Sequence, residues 1–432
     1  MELKEHLLRH LEAKEVESLL ESINSESVNS LYLNPGVYSG ERLLEDYPLV
    51  KAHPFLKDTF YYPKEYNFGK KILFDLGCYY IQDASATVVP FILDPQPNER
   101  ILDMCASPGG KAIRIASLME NTGVLVANDN SFERIKILNQ NIERFGLVNV
   151  LVTTNNMLYF VEDYENYFDR VLLDAPCSGS GMARKEPKML RDWSHNKVIK
   201  LTENQNALLE NAIRFCKPNG IIVYSTCSFS FEENEAVIQK ALNSGLVELI
   251  KISPFPGSFH HKDMPETLRL HPNHYDGEGQ FVAKLRKRAF TIANASVKSD
   301  KNFKIKPLFK DVTQFPYVKY YIDRKDTLFG TSFNEDLKFF QIFQVGMEIG
   351  RKEKFGFVYH HESSRLLPTS SSIKLDRSQA EAYIRGEELE LSFPDGWSVV
   401  KYQELNLGYV RIKGNRAKNY YPKGLRKNAL EF

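Results

Sequence analysis

Between Arg100 and Arg288, short apolar runs alternate with longer stretches of helical period. Ile101–Met104 precedes Ala112–Met119, and Val124–Ala127 precedes Phe132–Phe145. Val150–Val152 and Val171–Leu173 follow, and Ile221–Tyr224 comes after a helical stretch at Thr202–Cys216. This rhythm predicts a parallel α/β sheet. Phe281–Leu285, after the Gly-rich turn Asp276–Gly279, reads as its last strand and ends the unit near Arg288. Upstream, Leu7, Leu8, Leu11, Val16, Leu19, Leu20 and Ile23 recur at helical spacing and predict one amphipathic helix that packs on a later part of the chain.

Beyond Arg288 the pattern weakens. Ile292–Lys306 is rich in Lys, Ser and Asn and reads as a linker, followed by an aromatic-rich segment to Tyr359. A second break lies at Pro368–Ser372, after which Ser398–Tyr402 and Gly408–Ile412 predict a small β-rich domain. Four divisions follow: an N-terminal extension at 1–75, an α/β unit at 76–288, a middle segment at 289–367 and a C-terminal domain at 368–432. For 432 residues, several domains is the expected organisation.

Composition adds exclusions. Lys plus Arg number 56 against 55 for Asp plus Glu, so any basic surface must be local. No apolar run approaches the roughly 18 residues a spanning helix needs, and Met1–Leu20 is charged and amphipathic, unlike a signal peptide. A cytoplasmic protein without membrane contact is expected, with a monomer as the default. The five cysteines, Cys78, Cys105, Cys177, Cys216 and Cys227, contain no C-x-x-C pair, which argues for reduced thiols and against a zinc motif. There is no H-E-x-x-H; His260–His261 reads as a solvated loop, and no metal is expected.

The chemistry concentrates where strands end. Cys105-Ala106-Ser107-Pro108-Gly109-Gly110-Lys111 follows the first strand of the α/β unit and opens onto a helix. In open parallel sheets ligands bind outside the carboxyl ends of the strands, and a Gly pair lets backbone N–H groups approach them closely. The next strand ends at Asn128-Asp129, where such folds place an acid on ribose hydroxyls, which makes Asp129 the candidate ribose ligand. A P-loop fails because Cys105 and Ala112 stand where glycine and Ser/Thr are needed, and a dinucleotide site lacks spaced glycines. S-adenosylmethionine, which carries no phosphate, fits the loop better. Further along, Asp174-Ala-Pro-Cys177-Ser-Gly and Tyr224-Ser-Thr-Cys227-Ser place two cysteines at strand ends on the same rim.

At these positions the sequence resembles the Nop/Sun family of RNA cytosine-C5 methyltransferases, marked by C-A-x-P-G-G-K, D-A-P-C-S-G and T-C-S motifs in that order. Gly77-Cys-Tyr-Tyr-Ile-Gln-Asp83, Gly181–Pro187, Trp193-Ser194 and Asn234 also look like family positions. The run Gly396–Gln403, Leu407-Gly408 and Lys418–Gly424 is similar to the PUA-like tail of the RsmF branch, which modifies 16S ribosomal RNA of the small subunit. The resemblance implies a Rossmann-like S-adenosylmethionine-dependent methyltransferase sheet, an N-terminal α+β extension that holds RNA, and a PUA-like C-terminal domain. Independently, Arg411, Lys413, Arg416, Lys418, Lys423, Arg426 and Lys427 bring seven positive charges, interleaved with Tyr420 and Tyr421 and no acid. Phosphate contacts and base stacking use those residue types.

The resemblance also implies roles. Cys227 is the covalent nucleophile toward carbon 6 of cytosine, and Cys177 acts in breaking the adduct. From position and not from the resemblance, Lys111 is a candidate source of positive field for the thiolate, and Asp174 is a candidate to hydrogen-bond the base and face the cofactor. Gln82, Asp83 and the Arg184-Lys185 loop are candidates to hold a flipped nucleotide. Three departures stand out: Asn156 where an acid near the adenine is usual, Ala112 for a common Thr, and Tyr32 for a usual Arg. A rival reading, an RNA-binding assembly factor that has lost catalysis, would be suggested by loss of the nucleophile, and Cys227 is present. An oxidoreductase would leave the paired thiols unexplained.

Overall fold

The computed structural model describes residues 2–159, 162–289, 315, 319–322, 325–333, 341–354 and 356–429. The predicted linker Ile292–Lys306 lies outside them, and the segment 303–359 is described only in part.

Five parallel strands form the centre of the largest sheet: β1 (Arg100–Asp103), β2 (Val124–Asn128), β3 (Val150–Thr153), β4 (Phe168–Asp174) and β5 (Cys216–Thr226), in spatial order β3-β2-β1-β4-β5. Their side chains alternate between two buried faces. Ile101, Leu125, Val150 and Val223 join one cluster with Val88, Ile113 and Leu138, while Leu102, Val126, Leu151 and Tyr224 join the other with Leu209, Phe215 and Val237. Burial on both faces is why these strands read as unbroken apolar runs. The helices that cover them are α3 (Ala84–Leu93), α4 (Gly110–Leu118), α5 (Phe132–Arg144), α6 (His195–Phe215) and α7 (Glu235–Asn243).

The edges of the sheet depart from the parallel expectation. β9 (Gln280–Lys287) pairs antiparallel with β5, β8 (Met264–Leu270) with β9, β7 (Ser258–His261) with β8, and β6 (Val247–Ile250) with β9. The short links from β7 to β8 and from β8 to β9 permit only antiparallel pairing there, because a parallel pair needs a long crossover. At the far edge β10 (Ile342–Val345), from the middle segment, pairs antiparallel with β3. His260–His261 is thus strand and not a solvated loop; His261 is buried, with its ring against the His10 carbonyl.

The single N-terminal helix expected from the sequence is two, α1 (Glu2–Leu7) and α2 (Ala13–Ile23). The turn between them leaves Leu8 exposed and lets Leu3, Leu7, Val16 and Leu19 all reach one cluster with Trp193, Val198 and Phe229. A four-stranded antiparallel sheet follows, built from Asn29–Leu33, Lys51–Ala52, Thr59–Tyr62 and Tyr79–Ile81. The C-terminal part is a five-stranded sheet with helix α8 (Arg377–Arg385), whose start is fixed by a capping box between Asp376 and Gln379. These two parts share a core: Leu31, Phe60 and Tyr79 cluster with Tyr383, Val400 and Leu407. Among the described residues no helix is long and apolar enough to cross a membrane.

Candidate active site

β1, β4 and β5 are neighbours at the centre of the sheet, so the loops leaving their carboxyl ends meet. The loop after β1 is held from behind. Tyr32 Oη donates to the Gly110 carbonyl at 2.7 Å, Arg134 Nη2 to the Ser107 carbonyl at 2.6 Å and Asn141 Nδ2 to the Pro108 carbonyl at 2.9 Å. Gly109 caps α4 at φ +117°, a conformation that favours glycine, and a Cβ on Gly110 would lie 2.6 Å from Gln82 Nε2, so a larger residue there would displace the Gln82 side chain. The result is an open cleft of about 160 Å³, lined by Cys105 to Pro108, Gly110, Lys111, Tyr80, Gln82 and Asp174.

Asp174 ends β4 and has both oxygens engaged: Oδ2 lies 2.7 Å from Lys111 Nζ and Oδ1 accepts from Ser225 Oγ at 2.6 Å. Burial pulls the Lys111 ammonium down, but Asp174, then Cys227 and Asp103, more than offset it and hold Lys111 above its ordinary value. Lys111 is therefore a fixed positive charge whose field reaches Cys227.

Cys177 Sγ and Cys227 Sγ are 3.2 Å apart. The hydrogen bond between them, then burial, then the charges of Cys227, Glu233 and Asp174 push the Cys177 thiol up, so Cys177 keeps its proton. Glu233, fully buried, ties the two cysteine turns together. Its Oε1 accepts from Ser178 N at 2.8 Å, and its Oε2 accepts from the hydroxyls of Ser178 and Ser228. Asn234 braces the second turn, accepting from Thr226 Oγ1 at 2.5 Å and donating to the Ser228 carbonyl at 2.8 Å. Two thiols, a lysine and a carboxylate thus converge beside a cleft floored by a glycine loop.

Three family models match the chain. One described as 16S rRNA methyltransferase RsmB/F covers residues 90–286, the N-terminal domain of RsmF covers 2–84 and the RsmF PUA domain covers 370–427. A ribosomal RNA small subunit methyltransferase F from Shewanella piezotolerans is 34% identical over 393 residues, spanning 85% of this chain and 83% of that protein. The chain belongs to the RsmB/F methyltransferase family. A tRNA (cytosine(49)-C(5))-methyltransferase from Pyrococcus abyssi is 39% identical over 257 residues, covering 57% of this chain and 82% of that protein. The crystal structure of a methyltransferase homologue from Pyrococcus horikoshii superposes with TM-score 0.58 at 31% identity, covering 66% of this chain and 93% of the other.

As an RsmB/F protein, the chain is an RNA (cytosine-5)-methyltransferase with S-adenosylmethionine as its cofactor. The residues present fit that cofactor. Backbone N–H groups of the glycine loop and of the first turn of α4 can receive a carboxylate, Asp174 in the lining can face its positive charge, and Asp103 Oδ2, at the end of β1, is buried without a partner.

The structure brings together Cys105, Ala106, Ser107, Pro108, Gly109, Gly110, Lys111, Asp174, Cys177 and Cys227. It does not bring Asp129 or Asn156 into the lining of the cleft. Asp129 is buried at the end of β2, accepts from Ser131 N at 2.9 Å and pairs with Arg134, whereas Asn156 is exposed and accepts from Leu158 N.

The loop expected to hold a flipped nucleotide is largely consumed internally. Arg184 forms a buried pair with Glu278 and donates to the Gly277 carbonyl, and Lys185 pairs with the buried Asp83 at 2.8 Å. Among the candidates, Gln82 faces the cleft. In the C-terminal run Tyr421 is buried against His361 and Tyr383 and offers no face for stacking, whereas Tyr420 packs on Trp397. Asp103 and Glu233 went unnoticed in the sequence. An Asp closing an apolar strand was the available signal for the first; Glu233 gave none.

Proposed function

We propose that the enzyme methylates carbon 5 of a cytosine in 16S ribosomal RNA through a covalent adduct between Cys227 and carbon 6 of the base. The observation that carries this reading is the 3.2 Å convergence of Cys177 and Cys227 beside the Lys111–Asp174 pair. Carbon 5 is too weak a nucleophile on its own, so a thiolate must first add to carbon 6. A free thiol is only a few per cent ionised at neutral pH. Here Cys177 Sγ, 3.2 Å away, and the Lys111–Asp174 pair stand beside the Cys227 sulfur that would attack. Asp174 accepts a hydrogen bond from the exocyclic amine or protonated ring nitrogen, which favours cytosine over uracil. S-adenosylmethionine, when bound, supplies an electrophilic methyl group on a positively charged sulfur.

Cys177, 3.2 Å from Cys227, is placed to act in the release step, in which the carbon 5 proton leaves to a base and Cys227 is expelled. Asp129 and Asn156 are proposed to reach the ribose and adenine. RNA is held by the N-terminal extension and the C-terminal domain, where Arg411 lies opposite Lys418 and Lys413 opposite Arg416 in the strand register. Like charges directly opposite are unfavourable until an anion such as phosphate neutralises them.

The test uses labelled S-adenosylmethionine, purified small ribosomal subunits, and the Cys227→Ala and Cys177→Ala variants. Cys227→Ala should abolish 5-methylcytosine, and Cys177→Ala should accumulate a protein–RNA adduct on denaturing gels. Absence of methyl transfer by the wild type to any RNA would instead favour the RNA-binding assembly factor.

A further inference from the structure

Three side chains of metal-ligand type, far apart in the sequence, meet where α1 and the start of α6 approach the turn before α7. They are His6, His195 and Glu232, and one ligand atom from each lies within 4.8 Å of the others. His6 is only 3% exposed, and neither of its ring nitrogens has a hydrogen-bond partner. Glu232 Oε2 is likewise buried without one. His6 Nε2 and Glu232 Oε2 stand 3.0 Å apart, an ion-pair distance. Two buried polar atoms that face each other without a shared hydrogen bond are costly unless something positive lies between them. The His6 ring is held in place, packed edge-on against Trp193 at 5.2 Å and tilted against His195 at 5.4 Å between centroids.

We propose that His6, His195 and Glu232 bind a divalent transition-metal ion, with zinc the best match, which staples α1 to the catalytic unit. Two imidazoles and one carboxylate suit zinc; magnesium and calcium prefer all-oxygen sets. With ligand bonds of about 2.0–2.2 Å, tetrahedral ligands stand roughly 3.3–3.5 Å from one another. To reach that spacing the His6–Glu232 pair, at 3.0 Å, opens by a few tenths of an ångström, and His195, the exposed member of the set, adjusts towards both. The ion would fix Glu232, and with it the adjoining Glu233 that ties the two cysteine turns.

Zinc is titrated calorimetrically into the metal-free full-length protein and into the Cys177→Ala/Cys227→Ala double variant, which removes the two thiols able to bind zinc on their own. The double variant should take up one equivalent and unfold at a higher temperature with zinc than without. His195→Ala, a surface change, and Glu232→Gln, which keeps the shape, should each weaken binding at least tenfold in that background, with unchanged circular dichroism. Failure of the double variant to bind a stoichiometric ion, or undiminished binding after either further substitution, overturns the proposal.

Discussion

Burial, then the neighbouring Asp174 carboxylate, push Asp103 up to about 8. In the unfolded chain the same carboxyl titrates near 4. Between those values the folded protein holds a proton that the unfolded chain has released. Its contribution to stability is therefore lost as pH rises through that window, by up to about 1.4 kcal/mol per pH unit. Asp103→Asn should flatten the stability profile from pH 4 to 8, measured by urea unfolding at each pH; an unchanged slope would place the titration elsewhere. At this scale the sequence displays reactive residues more readily than supporting ones. Cys227, Cys177, Asp174 and Lys111 stand out as nucleophile, acid and charge at strand ends. Glu233 does not, because its role depends on both oxygens reaching turns some 50 residues apart, which only burial and topology reveal. Arg184 misleads in the opposite sense: an arginine in a polar loop reads as a phosphate ligand until Glu278 is found beneath it.

The cofactor loop shows how an element is held by residues outside it. Tyr32 is fully buried in the N-terminal sheet, and its hydroxyl is the hydrogen-bond partner of the Gly110 carbonyl. A buried hydrogen bond of this kind contributes about 1 kcal/mol net, and leaving the carbonyl unpaired costs somewhat more. Tyr32→Phe should accordingly raise the Kd for S-adenosylmethionine several-fold with methylation otherwise intact, read by calorimetry; unchanged affinity would mean the loop needs no such anchor. The departure from arginine at this position thus has a local account, with the phenol ring lying under the Arg114 guanidinium. Among elements, the central strands were legible because two-sided burial writes itself as apolar runs. The antiparallel edges were not, since an apolar run carries no mark of its strand's direction, and β10 reaches β3 from the distant middle segment. The break between α1 and α2 was hidden because both halves keep the same apolar stripe.

At the scale of the whole molecule, the N-terminal sheet and the C-terminal domain form one hydrophobic cluster. Polar ties reinforce it: Arg42 donates to the Gln403 carbonyl at 2.9 Å, and Lys427 pairs with Asp75 at 2.6 Å. Removing the chain from residue 370 onward should expose Leu31, Phe60 and Tyr79, so the truncated protein should bind a hydrophobic dye and be cut rapidly by protease within residues 29–81. Resistance equal to that of the full chain would show that the N-terminal sheet is stable alone.

The shared cluster also sets an order of events during synthesis. Arg42 and Gln403 are separated by 361 positions in the chain. At translation rates of about 5–20 residues per second, the N-terminal sheet waits roughly 20–70 s for the strands that complete its core. During that interval its apolar face has no permanent cover, while the α/β unit between can already collapse around its own strands. The α/β unit of the nascent chain can thus gather its strands before the N-terminal sheet and the C-terminal domain are joined.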